Sequence, residues 1–111
     1  MSWEIELSDE VAAWYLGLSA KDAGVADRVF DLLVERGNQL RMPHSRSLGE
    51  GLFELRFTCE GVARRVTYTF DPERQVFALT TFRKQRQNEA REVGRAHRAL
   101  WDHRGNDRKG R

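Results

Sequence analysis

From Phe53 onward, apolar residues recur at every second position in consecutive short segments, and no other feature of the chain narrows its fold as much. Phe53, Leu55 and Phe57 alternate with Glu54 and Arg56, and Val66, Tyr68 and Phe70 alternate with Arg65, Thr67 and Thr69. A period of two belongs to a strand with one face buried. Glu60-Gly61 stands between these runs where a hairpin turn belongs, and Asp71-Pro72-Glu73 opens the next turn. Residues 75–82, Gln-Val-Phe-Ala-Leu-Thr-Thr-Phe, are apolar on both faces and suit a central strand. Strands joined this closely pair antiparallel, and their apolar face needs a covering layer.

The N-terminal half supplies that layer. Trp3, Ile5 and Leu7 alternate with Glu4 and Glu6, which predicts one further strand. Ser8 or Asp9 then offers a helix N-cap, followed at helical spacing by Val11, Trp14, Tyr15 and Leu18, with Gly17 weakening the end. Ser19-Ala20-Lys21-Asp22 is a capping-box variant for a longer helix, with Ala26, Val29, Phe30, Leu33 and Gly37 on one face and Gly37-Asn38 as its stop. Residues 39–51, with Pro43, Gly49 and Gly51, are expected to form a loop anchored by Leu40, Met42 and Leu48. Asn88 is the expected N-cap of a last helix with the stripe Val93, Ala96, His97, Leu100 and Trp101. Residues 104–111 hold no apolar side chain and are expected to be a disordered basic tail. The predicted order is β-α-α-β-β-β-α, an α+β domain over residues 1–103. Its four-stranded, mostly antiparallel sheet carries two N-terminal helices and a C-terminal one.

Composition excludes several function classes. The 111 residues are 40% apolar and 32% charged, a globular balance with room for one domain. No apolar run approaches the roughly 20 residues of a membrane span, and the start Met-Ser-Trp-Glu-Ile-Glu-Leu lacks the pattern of a secretory signal. A cytoplasmic protein is the expectation. The one cysteine, Cys59, cannot build a disulfide framework or a zinc site, and His44, His97 and His103 lack metal-ligand spacing. No metal and no cofactor is therefore expected. His97 reads as a packing residue and Cys59, without an adjacent base, as incidental.

Charge is unevenly placed. The formal net charge of +2 divides into −5 over residues 1–40, +1 over 41–82 and +6 over 83–111. The C-terminal excess is either a solvated helix face or an electrostatic footprint for phosphate. The hairpin favours phosphate. With a two-residue turn at Glu60-Gly61, Arg56 lies directly opposite Arg65, on the side away from Phe53, Leu55, Phe57, Val66 and Tyr68. Like charges facing each other across a ladder are unfavourable. Either Glu54 neutralises them, or a longer loop shifts the register, or the open sheet face is a cationic groove for an anion. Lys84 and Arg86, with Arg83, follow the last strand and would close such a groove. A rigid sheet displaying these cations can hold and polarise a phosphate.

The block Met42-Pro43-His44-Ser45-Arg46-Ser47-Leu48-Gly49-Glu50-Gly51-Leu52-Phe53-Glu54-Leu55-Arg56-Phe57, then Arg65-Val66-Thr67-Tyr68, then Phe82-Arg83-Lys84 and Gln87, resembles the RelE/HigB toxin superfamily. It is most similar to the phage-derived HigB-like branch, over residues 3 to about 101. The resemblance implies a RelE-like fold. It further implies the toxin of a type II toxin–antitoxin pair that cleaves messenger RNA in the ribosomal A site, without a metal, through attack of a 2′-hydroxyl on the adjacent phosphate. The implied partner is a cognate antitoxin carrying a helix-turn-helix DNA-binding domain.

Carried over by position, Arg56 matches a basic residue of the second strand, Arg65 the arginine opening the third, and Lys84 the lysine after the fourth. These three are the expected catalytic cations. Arg83, Arg86, Arg91 and Arg95 are the expected RNA-binding residues. Tyr68 is expected in the core and His44 in a structural role. Gln85 stands where many relatives carry a second lysine, and Glu89-Ala90 where they carry Thr-Pro. The alternatives are a ParE-like inhibitor of DNA gyrase, which shares the fold, or an inactive RNA-binding module.

Overall fold

A computed structural model describes residues 2–109, with side chains as far as Gly105. The elements are β1 (Glu4–Leu7), α1 (Asp9–Leu16), α2 (Ala20–Arg36), a 3-10 turn (Gly37–Gln39), β2 (Ser45–Gly49), β3 (Leu52–Cys59), β4 (Val62–Asp71), β5 (Gln75–Arg83) and α3 (Glu89–Lys109). The α+β class holds, with the three helices expected. The sheet is corrected from four strands to five, in the order β1-β5-β4-β3-β2, and it is mixed because β1 runs parallel to β5. The remaining pairs are antiparallel.

The strand that periodicity missed is β2, inside the expected loop. Its sequence Ser-Arg-Ser-Leu-Gly shows no apolar alternation, because an edge strand needs only one neighbour and here buries little beyond Ser45. Ser45 pairs with Leu55 and Arg46 with Glu54 before the register shifts ahead of Gly49.

Local chemistry sets the element ends. The Ser8 hydroxyl accepts the Val11 N–H at the start of α1, and the Ser19 hydroxyl accepts the Asp22 N–H at the start of α2. Gly37 ends α2 with φ +53°, where a Cβ would fall 2.0 Å from Trp3 Nε1. Only glycine fits there. Glu60 and Gly61 both have positive φ and close the β3–β4 hairpin in two residues, so Cys59 pairs with Val62.

Both faces of the sheet are covered. On one, Val11, Ala26, Phe30 and Leu33 of α1 and α2 pack on Leu55, Val66, Tyr68, Val76 and Ala78. Tyr68 is buried there, as alternation requires, and its hydroxyl bonds that of Ser45. On the other, Ala96 and Leu100 of α3 pack on Leu52 and Leu79. An uncovered second face was expected; instead α3 caps it at the β5 side, which is why residues 75–82 are apolar on both faces. α3 also continues through the segment expected to be a disordered tail, as far as Lys109. Once nucleated, a helix propagates at little cost, and the Arg104 guanidinium reaches the Glu50 carbonyl at 3.3 Å. Residues 110 and 111 lie outside the described residues. Among the described residues, no helix is long and apolar enough to cross a membrane.

Candidate functional site

The two-residue hairpin turn places Arg56 opposite Arg65, in the register expected from sequence, with Phe82 as the β5 neighbour of Arg65. The next row of the ladder is Arg46, Glu54, Thr67 and Thr80. Both rows face the α3 side. Glu54 is fully buried, with Oε1 3.3 Å from Arg56 Nη1 and 3.7 Å from Arg65 Nε. The arginine pair therefore has an internal counter-ion, contrary to the picture of an unscreened groove.

One carboxylate does not saturate this cluster. Arg46, Arg56, Arg65 and Lys84 supply four cations around two carboxylates, Glu54 and Glu89, and the excess is positive. Hydrogen bonding is incomplete as well: Glu54 Oε2, Arg65 Nε and Glu89 Oε1 are buried and have no hydrogen-bond partner. Native proteins rarely leave such groups unmade, and they concentrate where a ligand completes them. Burial pushes the Glu54 carboxyl above its usual range; Arg65 and Arg56 oppose this, and Glu89 adds to it. Burial, then the charge of Arg56, lowers the pKa of Arg65.

Lys84 continues β5 with its N–H on the Ala63 carbonyl at 2.8 Å, and its Nζ lies 3.9 Å from Glu89 Oε1 at the start of α3. Arg56, Arg65 and Lys84 are thus brought to one corner, where the β3–β4 hairpin meets the first turn of α3. Arg83 is not part of it: it pairs with Arg64 on the α1 side, where Arg64 lies 5.1 Å over the Trp14 ring. Arg83 and Arg91 instead line a separate cavity of about 340 Å³ with Arg64. Arg86 is exposed. Arg95 is committed elsewhere, with Nη1 and Nη2 on the two Glu10 oxygens at 2.6 and 2.9 Å and Nε on Glu92 at 2.9 Å. Those bonds raise its pKa. His44 is exposed and lends its carbonyl to the Arg56 N–H at 2.9 Å.

Residues 13–100 match the family model described as Phage derived protein Gp49-like (DUF891). The chain belongs to the Gp49-like family. That family is a RelE/HigB-like toxin family, so the superfamily expected from the middle block is borne out. Among solved structures, a mutant of the Escherichia coli toxin RelE in the free state superposes with a TM-score of 0.59 at 11% identity. The match covers 86% of this chain and 94% of that one, and it establishes a shared fold. No curated protein sequence matches the chain.

Two members of the corner in this Gp49-like protein escaped sequence reasoning. Arg46 was hidden because β2 lacks alternation, although Ser45 and Ser47 flank it at strand spacing. Glu89 was passed over as a helix-start residue. Asn88, the expected cap, closes the preceding turn by accepting the Gln85 N–H and donating to the Arg83 carbonyl, and this turn places Glu89 beside Lys84. The resulting arrangement can grip a monoanion or dianion between fixed guanidinium groups, which suits a phosphodiester.

Proposed function

We propose that this Gp49-like protein is the toxin of a toxin–antitoxin pair and an endoribonuclease that cleaves messenger RNA in the ribosomal A site. Arg56 and Arg65 hold the scissile phosphate, and Lys84 stabilises the charge that develops on it. The 2′-hydroxyl attacks the adjacent phosphorus, the bond to the 5′-oxygen breaks, and a cyclic phosphate and a 5′-hydroxyl result. The reaction needs no metal, because positioning and charge stabilisation supply the catalysis. Arg86, Arg83 and Arg91 extend the contact along the RNA, whereas Arg95 serves the fold.

The observation that carries this reading is the pairing of Arg56 with Arg65 across the ladder, with cations in excess of carboxylates around them. Glu54 offsets only part of the repulsion between the two guanidinium groups, and a phosphate lying against them would offset the rest. The partner is an antitoxin with a helix-turn-helix domain that, in the cytoplasm, covers this corner, the start of α3, or both through an acidic or amphipathic segment.

Induction without the antitoxin, followed by primer extension on messenger RNA, tests the proposal. Discrete cuts in translated messages with intact chromosomal DNA are expected. DNA breaks and an induced damage response with intact messages would replace this reading with gyrase poisoning.

A further inference from the structure

Transfer of a proton from the attacking 2′-hydroxyl requires an acceptor, and two carboxylates occupy the α3 side of the corner. Glu54 is 0% exposed and lies between Arg56 and Arg65. A substrate hydroxyl cannot reach it, and two guanidinium groups already claim its charge. Glu89 differs in reach, although its Oε1 is buried too. Its side chain is 39% exposed, it opens α3 at the mouth of the corner, and its Oε1 points inward without a hydrogen bond. Lys84 Nζ lies 3.9 Å from that oxygen. The groups facing Glu89 are Lys84 from the β5–α3 connection and, from the sheet, Glu54 and Arg65, with Arg56 and Arg46 behind Glu54.

We infer that Glu89 is a further catalytic residue, the general base that takes the 2′-hydroxyl proton, paired with Lys84 as the acid that protonates the leaving 5′-oxygen. This rests on the ribonuclease reading above. The step balances. The 2′-oxygen bonds to phosphorus as its proton moves to the Glu89 carboxylate, and the phosphorus–O5′ bond breaks as Lys84 gives a proton to O5′. A proton then passes from Glu89 to Lys84, directly or through one water, and restores both groups. Glu54 acts as a positioning residue that holds Arg56 and Arg65 on the phosphate.

The full-length chain tests this in single-turnover cleavage of a ribosome-bound message across a pH series, with wild type, Glu89→Gln and Glu89→Asp side by side. Glu89→Gln should slow cleavage on the order of a hundredfold and abolish the rise in rate with pH on the acid side. Affinity for a message 2′-O-methylated at the cut site should stay within about twofold of wild type, because the base acts on the reacting proton. Glu89→Asp should keep the acid-side rise at a reduced rate. A Glu89→Gln rate within about threefold of wild type, or one that keeps the acid-side rise, would overturn the assignment and leave the ribonuclease reading standing. A loss explained wholly by weaker binding would also overturn it, by making Glu89 a mere counter-ion of Lys84. Absence of cleavage by the wild type would overturn both.

Discussion

Arg95 and Arg65 are both arginines held against a glutamate beside α3, and the protein treats them in opposite ways. Arg95 meets Glu10 with two short hydrogen bonds and Glu92 with a third, while the Thr81 N–H completes Glu10 at 2.9 Å. That seam closes α3 onto α1 and β5. At the corner, Arg65 touches Glu54 only at 3.7 Å, a second arginine shares the carboxylate, and polar atoms on both residues remain unpartnered. A matched ion pair fixes a fold, whereas a mismatched one keeps electrostatic potential available for a ligand. Residue type alone does not separate the two roles; the supply of acceptors does.

The largest effect on stability is expected at Arg65. Replacing it with Ala leaves Glu54 buried with Arg56 as its remaining close partner and should cost on the order of 3 kcal/mol in chemical unfolding. A loss below about 1 kcal/mol would mean that Arg56 alone satisfies Glu54, and the contrast with Arg95 would narrow. Glu10→Ala should cost about 1 kcal/mol, less because the seam is partly exposed to solvent, and should leave RNA cleavage unchanged. Impaired cleavage in a folded Glu10→Ala protein would break the division of roles.

The seam should also show in the pH dependence. Burial raises the Glu10 carboxyl, but the bonds from Arg95 and the Thr81 N–H outweigh it and bring the pKa below 4.5. A carboxyl depressed in the folded state stabilises above its unfolded pKa and loses that contribution as pH falls through its folded value. The stability gap between wild type and Glu10→Gln should therefore be full at neutral pH and close on the acid side of about 4.5. A gap that widens on acidification would contradict the assignment. The smallest effect is expected for Arg86→Ala: melting unchanged, message affinity reduced a few-fold, and the salt dependence of binding weaker by about one ion.

Much of this was legible in the chain. Alternation around Phe53–Phe57 and Val66–Phe70, with the Glu60-Gly61 turn, was enough to set Arg56 against Arg65, because a two-residue hairpin leaves no freedom of register. The caps at Ser8 and Ser19 and the stop at Gly37 were equally readable. β2 was not, since an edge strand that buries little leaves no periodic trace, and Arg46 was lost with it. The parallel β1–β5 pairing joins residues about 71 positions apart and is a long-range fact that no local pattern encodes. The capture of Arg95 by Glu10 spans 85 positions and was invisible for the same reason.

Cleavage of a defined message on programmed ribosomes by wild type, Arg56→Ala and Glu10→Ala, with both new ends mapped chemically, bears most directly on the corner as a phosphate site. The Arg56 guanidinium donates to buried Glu54 at 3.3 Å, so its removal should also cost stability, and cleavage is compared under conditions where the variant is folded. The account predicts cyclic-phosphate and 5′-hydroxyl ends for wild type and for Glu10→Ala, with a rate loss of about a hundredfold or more for a folded Arg56→Ala protein. Equal cleavage by wild type and Arg56→Ala, or loss confined to Glu10→Ala, would contradict it.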